Sequence, residues 1–540
     1  MSKRSCLSLF SLPHFFFSGN QAYLSHRITP SKILHSSSTP IISPSYPFGP
    51  YRFINREFLI ISYETDPEAL RKVVPSPLKP SKENIVNYEW INMPDSYGFG
   101  SYSESGAVIP CEYNGESINF VLQMFLDNEP PIAAGREIWG FPKKFGKPKL
   151  FTKTDTLIGK LTYSGEEIAM GTMNYKFKKI SEVEAKKSMA KKQCNFKLIP
   201  GPDGKKPDIA QLVSYNMEDI IIKEAWEGPA RLNFRAHVNA PTFRLPIKRV
   251  LGGKHIIADM TLPYGKIFYD YLKHPEEYKN LDWSDKQHPS KLDFSRIPDL
   301  LKSRCMPILA PSYGAVSFQY KKLEQMIFRY KSDPESIARS IPEPLIPNEN
   351  NEVFIIFTKT EATGLSEYNK CEMFVPVYFN GKYMFFGVQG YVDCSATRTV
   401  GREVYGVPAK FGYPKIETRK DTIVSTLKYN EEEIMMGTMT YHQKIMDKKE
   451  AEKILKVPIV HLKLIPSAEQ GKVDIAQLIV VQHEDIVVDS AFCGETKIEM
   501  KEHVNAPMAD LKVRENLEGF TIKAQMNLSH GEILHDYKKE

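Results

Sequence analysis

The chain repeats itself at one long interval. Gly135-Arg136-Glu137 returns as Gly401-Arg402-Glu403, and Gly171-Thr172-Met173 as Gly437-Thr438-Met439. Lys197-Leu198-Ile199-Pro200 returns as Lys463-Leu464-Ile465-Pro466, and Asp208-Ile209-Ala210-Gln211-Leu212 as Asp474-Ile475-Ala476-Gln477-Leu478. His237-Val238-Asn239-Ala240-Pro241 returns as His503-Val504-Asn505-Ala506-Pro507. Each pair lies 266 residues apart (401 − 135, 503 − 237). One offset held over such a stretch marks duplication of a whole domain; the roughly 20–50-residue period of a solenoid is far shorter. The expected organisation is a leader at 1–45, a first copy at 46–275, a polar linker at 276–309 and a second copy at 310–540. Trp283 and Leu300-Leu301 predict that part of the linker docks on a domain.

The strand signal dominates each copy. Phe58-Leu59-Ile60-Ile61, Phe120-Val121-Leu122 and Val353-Phe354-Ile355-Ile356-Phe357 are short apolar runs closed by turn residues, a pattern of strands more than helices. Residues 156–163 followed by Ser164-Gly165 predict one arm of a hairpin. Helices are few. Asp66-Pro67-Glu68 opens one with an N-cap and Pro at the first position, Asp333-Pro334-Glu335 opens its counterpart, and Ser181–Lys191 carries a third with a charged face. Gly252-Gly253 reads as a turn. The expectation is a mainly β (α+β) protein: two tandem, mostly antiparallel, barrel- or cone-like domains with a few flanking helices.

Composition narrows the class. Hydrophobic residues make up 42% and charged residues 25% of the 540, with a formal net charge of +6, as in ordinary globular proteins. No basic cluster interleaved with aromatics suggests a nucleic-acid partner, and no run of 18 or more apolar residues suggests a membrane span. The seven cysteines, Cys6, Cys111, Cys194, Cys305, Cys371, Cys394 and Cys493, are odd in number and widely spaced, which favours reduced thiols over a disulfide framework or zinc site. The first 45 residues hold Lys3, Arg4, Arg27 and Lys32 among many serines and no acid; the first acidic residue is Glu57. That resembles an organellar transit peptide, with a disordered cytosolic leader and a secretory signal as the competing readings. The expected location is mitochondrial or cytoplasmic.

One difference between the copies carries chemistry. Gly140-Phe141-Pro142-Lys143-Lys144-Phe145-Gly146 corresponds to Gly406-Val407-Pro408-Ala409-Lys410-Phe411-Gly412. The scaffold is retained while the first lysine becomes alanine. A lysine attacks carbonyls only as the free amine, and with an ordinary pKa of about 10.4 it is an ammonium at neutral pH. Desolvation or a nearby cation lowers that value. Phe141 and Phe145 offer the first cause and Lys144 the second, although adjacent strand residues face opposite ways. Desolvation of Lys143 is expected to dominate. A solvated basic pair is the bland alternative. Lys144 and Lys410, kept in both copies, read as structural, paired with a carboxylate. Arg136, Glu137, His237 and His503 also persist and read as groups that maintain the fold.

Taken in order, the first copy resembles acetoacetate decarboxylase. The resemblance is carried by Ser43-Pro44-Ser45-Tyr46-Pro47, Gly49-Pro50-Tyr51, Asn55-Arg56-Glu57, Leu70-Arg71-Lys72-Val73-Val74-Pro75 and Glu104-Ser105-Gly106, then by Leu126-Asp127-Asn128-Glu129-Pro130, Gly135-Arg136-Glu137, Pro142-Lys143-Lys144 and Glu224-Ala225-Trp226-Glu227-Gly228-Pro229. It covers about 43–273. By this resemblance Lys143 is the Schiff-base lysine and Lys144 the neighbour associated with its low pKa. Arg56, Glu89 and Glu104 are the polar groups of the pocket. Alternatives stay open for each: Arg56-Glu57 as an edge-strand ion pair, Glu89 as a partner of Lys144, Glu104 as a loop carboxylate. In the second copy Arg56 aligns with Leu323, Glu104 with Lys370, and Glu89 falls at the apolar Ile356-Phe357.

The implied activity is decarboxylation of a small β-keto acid, acetoacetate giving acetone and carbon dioxide. Aldol or dehydration chemistry on another keto compound, and a non-catalytic binding tandem, are the alternatives. Without HExxH, P-loop or GxGxxG patterns, no metal or nucleotide cofactor is expected. The family's large assemblies imply a homo-oligomer, with the second copy standing in for a subunit contact.

Overall fold

The computed structural model describes residues 24–283, 288–314 and 318–539. Each copy builds one 13-stranded sheet and one 4-stranded sheet, in matching strand orders. In the first copy, Tyr51–Glu64 runs between Arg249–Leu262 and Ile85–Met93; the order continues through Tyr102–Tyr113 and Glu116–Leu126. These pairings are antiparallel. Glu116–Leu126 then takes two parallel neighbours, Lys143–Phe145 and Gln193–Pro200. The mainly β expectation holds. The strand order of each large sheet is open-ended, with no recorded pairing between its first and last strands among the described residues.

Two of the three expected helices follow a side-chain cap, and the third begins at Asp333 without one. Asp66 accepts from the amides of Glu68 and Ala69 and starts Pro67–Val73; Ser181 accepts from Glu184 and starts Glu182–Met189; Pro334–Ser340 is the counterpart in the second copy. Gly252 and Gly253 do not form a turn. They lie inside Arg249–Leu262, where a register shift opposite Ser62 and Tyr63 bends the strand.

The stretches read as leader and linker are two copies of one element. Pro30–Leu34 and Ile297–Leu301 are short helices, each followed by a cis-proline turn at Thr39-Pro40 and Met306-Pro307. Residues 24–45, expected in the leader, are packed: Ile28 and Ile33 are buried in the core of the second copy, and Ile28 bridges Pro342. Thr29 caps the helix and its apolar face is buried, which sets this stretch apart from a solvated targeting segment. Residues 1–23, with the remainder of that expectation, lie outside the described residues. As the linker reading anticipated, Leu292, Phe294, Leu300, Leu301 and Met306 pack into the core of the first copy, with Trp283 against its edge. Each buried side chain of this kind contributes about 1.5–3 kcal/mol.

Both arms then cross the molecule. Tyr46 joins the core of the first copy and Tyr313 that of the second. Two reciprocal ion pairs hold the crossing. Arg136 Nε donates to Glu403 Oε1 at 2.6 Å and Arg402 Nε to Glu137 Oε1 at 2.6 Å. Each guanidinium also donates to the arm, Arg136 to the Met306 carbonyl and Arg402 to the Thr39 carbonyl. Lys197 reaches Asp474 at 2.7 Å, and Lys463 reaches Asp208 at 2.8 Å. Duplication has produced an internal pseudo-dimer with a buried polar seam.

Candidate active site

Strand register brings the sequence-predicted groups onto one face. Ile60, Glu89, Gly106, Met124 and Lys143 stand opposite one another across five strands. Phe58, Ile91, Glu104 and Leu126 form the adjacent row. Arg56 lies two residues before Phe58, so by the period of two it shares the face. It follows Asn55, whose positive φ of 55° opens a bulge against Arg249–Leu262. Arg56 therefore sits on an interior strand, and Glu104 on a strand instead of a loop.

Lys143 Nζ is 2.8 Å from Glu104 Oε1, a close ion pair whose angle departs from that of a directed hydrogen bond. Nζ also donates to the Pro131 carbonyl at 3.3 Å. Arg56 Nη2 lies 3.8 Å from Glu104 Oε2, and its guanidinium packs over Phe53 and Phe58. Phe141 lies beneath the amine, 4.8 Å from Nζ to the ring centre. Lys143 and Glu104 are both buried. Burial pulls the Lys143 pKa below that of a free lysine; Glu104 opposes this and Arg56 adds to it. Desolvation also pushes the Glu89 carboxyl up to about 7, with Arg56 resisting.

Lys144 does not share this pocket. Alternation on the strand sends it the other way, into the seam between the copies, where Nζ donates to the Asn239 and Ala310 carbonyls. Burial there lowers its pKa to about 8. Lys410 occupies the equivalent place, donating to Ser43 Oγ and the Asn505 carbonyl. Among the described residues Lys144 pairs with no carboxylate, Glu89 included, and the cation acting on Lys143 is Arg56.

The sequence reading missed Gly135. A Cβ there would stand 2.7 Å from Lys143 Cδ and 3.1 Å from Nζ, so the glycine leaves room for the amine. At the equivalent Gly401 the nearest atoms to such a Cβ are those of Val407, 3.3 Å away. A glycine in both copies ahead of a lysine in one was the available signal. Also unanticipated were Tyr102 and Tyr215, buried phenols whose pKa values are raised by burial and by the nearby Glu104.

The sequence profile described as acetoacetate decarboxylase (ADC) matches residues 38–272 and again 305–538. The chain belongs to the acetoacetate decarboxylase family. An acetoacetate decarboxylase of Paraburkholderia phytofirmans is 49% identical over 246 residues, covering 46% of this chain and 97% of the relative. One from Burkholderia multivorans is 50% identical over 233 residues, 43% of this chain and 94% of the relative. The crystal structure of acetoacetate decarboxylase from Legionella pneumophila is 49% identical and covers 42% of this chain and 90% of its own, with a TM-score of 0.41. The duplication is thus one of complete family domains. No helix among the described residues is long and apolar enough to cross a membrane.

Proposed function

We propose that the first copy decarboxylates a β-keto acid, acetoacetate being the fitting substrate, through a Schiff base on Lys143. One observation supports this reading most: a buried lysine, its pKa lowered, lies between a carboxylate and aromatic walls.

Glu104 takes a proton from the Lys143 ammonium, freeing the amine to attack the ketone carbon. A C–N bond forms, the carbonyl oxygen is protonated and departs as water, and an iminium remains. The bond to the carboxylate then breaks. Its electron pair flows to the iminium nitrogen, carbon dioxide leaves and an enamine forms. Glu104 returns its proton to the enamine carbon, and water releases acetone and the amine. Acetoacetate and one proton become acetone and carbon dioxide; the lysine itself is the electron sink. Arg56 orients the substrate carboxylate, loosely enough that the ground state is not held too firmly. Glu89, largely protonated below its pKa of about 7, spares Arg56 a competing anion.

Ala409 stands where the amine would be in the second copy, and we assign that copy no turnover. We also place the start of the repeating unit at the arm near residue 28 instead of residue 46. Carbon dioxide release by Lys143→Ala tests the proposal. Turnover at the background level with an unchanged melting temperature is expected; retention of even a tenth of the wild-type rate would overturn it.

A further inference from the structure

The second copy has lost the lysine but has not become an inert apolar wall. Lys370 stands where Glu104 stands in the first copy, and Glu372 where Gly106 stands. Their side chains pair at 2.6 Å. They line a cavity of about 80 Å³ beside Ala409, with His461, His483, Tyr320 and Tyr368. His461 is only 4% exposed, and among the described residues neither ring nitrogen has a hydrogen-bond partner; nor has Thr397 Oγ1, which also lines the cavity. The rest of the lining is apolar, including Val400, Val407 and Leu528.

We propose that this cavity binds a small uncharged ketone, non-covalently. Three features select that class. The space is about half that of the roughly 150 Å³ cavity that admits benzene, so the ligand has few heavy atoms. The lining charges already balance, Lys370 against Glu372, while burial holds His461 and His483 neutral, with pKa values of about 4. An incoming anion would leave one buried charge uncompensated, which is costly; a neutral molecule would not. The apolar walls suit methyl or methylene groups, while Lys370 and His461 offer donors to a carbonyl oxygen left without a partner. Lys370 itself is held as an ammonium by Glu372, so it binds the carbonyl instead of attacking it. This inference stands on the second copy alone and survives or fails independently of Lys143.

The test is saturation-transfer NMR with acetone on the full chain carrying Lys143→Ala, which removes Schiff-base chemistry from the first copy. Saturation of the acetone methyls is expected, with acetate giving no comparable signal. Adding Ala409→Leu, which fills the cavity, should weaken acetone binding about tenfold. Lys370→Met, close in shape, should do the same and decides the matter if the leucine variant does not fold. No acetone signal, a signal unaffected by Lys370→Met, or equal binding of acetate would overturn the proposal. So would a borohydride-trapped adduct on Lys370.

Discussion

At the scale of single residues, the site depends on where one amine sits. Gly135 gives Lys143 its room, so Gly135→Ala is expected to leave the fold intact, because the obstructed group is the far end of a flexible side chain. The displaced amine should lower kcat by up to about 10²-fold, the cost of roughly 1 Å of misplacement. Gly401→Ala, facing Val407, should leave turnover unchanged; parallel kinetics on the two variants check this. Glu89 gives a pH-dependent prediction. Its folded pKa of about 7 lies above the ordinary carboxyl value of 4.5, so the native state holds the proton more tightly than the unfolded one. Its contribution to stability is complete below about pH 4.5 and is lost as pH rises through about 7. Glu89→Gln should therefore gain on the wild type between pH 5 and pH 8, by about 1–3 kcal/mol, as read from urea midpoints.

At the scale of elements, the arms and the ion pairs they cover hold the copies together. Arg402→Ala leaves Glu137 buried with Tyr46 as its one remaining side-chain hydrogen-bond partner among the described residues and should cost about 3–5 kcal/mol. Replacing both Arg402 and Glu137 with methionine should recover much of that loss, since no charge is then stranded; thermal unfolding of the two variants separates the outcomes. The strand texture, the three expected helices and the docking linker could all be read from the sequence, because short-range periodicity and helix-start signals determine them, although Asp333 opens its helix without a side-chain cap. The arm at 24–45 could not. Its acid-free, serine-rich composition matches a targeting segment, and its apolar residues are few enough that only the facing core of the second copy shows their purpose. The split between Lys143 and Lys144 was half legible: strand alternation predicted opposite faces, while the destination of Lys144, backbone carbonyls in the seam, is a tertiary fact. The Lys370–Glu372 pair was half legible: the 266-residue offset sets Glu372 at Gly106 and Lys370 at Glu104, while the pairing of the two side chains with each other is a tertiary fact.

At the scale of the whole molecule, the chain is a pseudo-dimer written as one polypeptide, and the proposed function assigns covalent chemistry to one of its two sites. Residues 24–283 and 288–540 expressed together should co-purify one to one, while each alone should aggregate through the core face its partner's arm would cover; size-exclusion chromatography distinguishes the cases. Asymmetry is the central claim: one amine in the first copy reacts, although both copies retain a seam lysine with a lowered pKa, Lys144 at about 8 and Lys410 at about 7. The most direct measurement is borohydride trapping with acetoacetate, followed by intact-mass and peptide mapping. One adduct per chain, on Lys143, is the predicted result. Two adducts per chain, or one on Lys144 or Lys410, would contradict it.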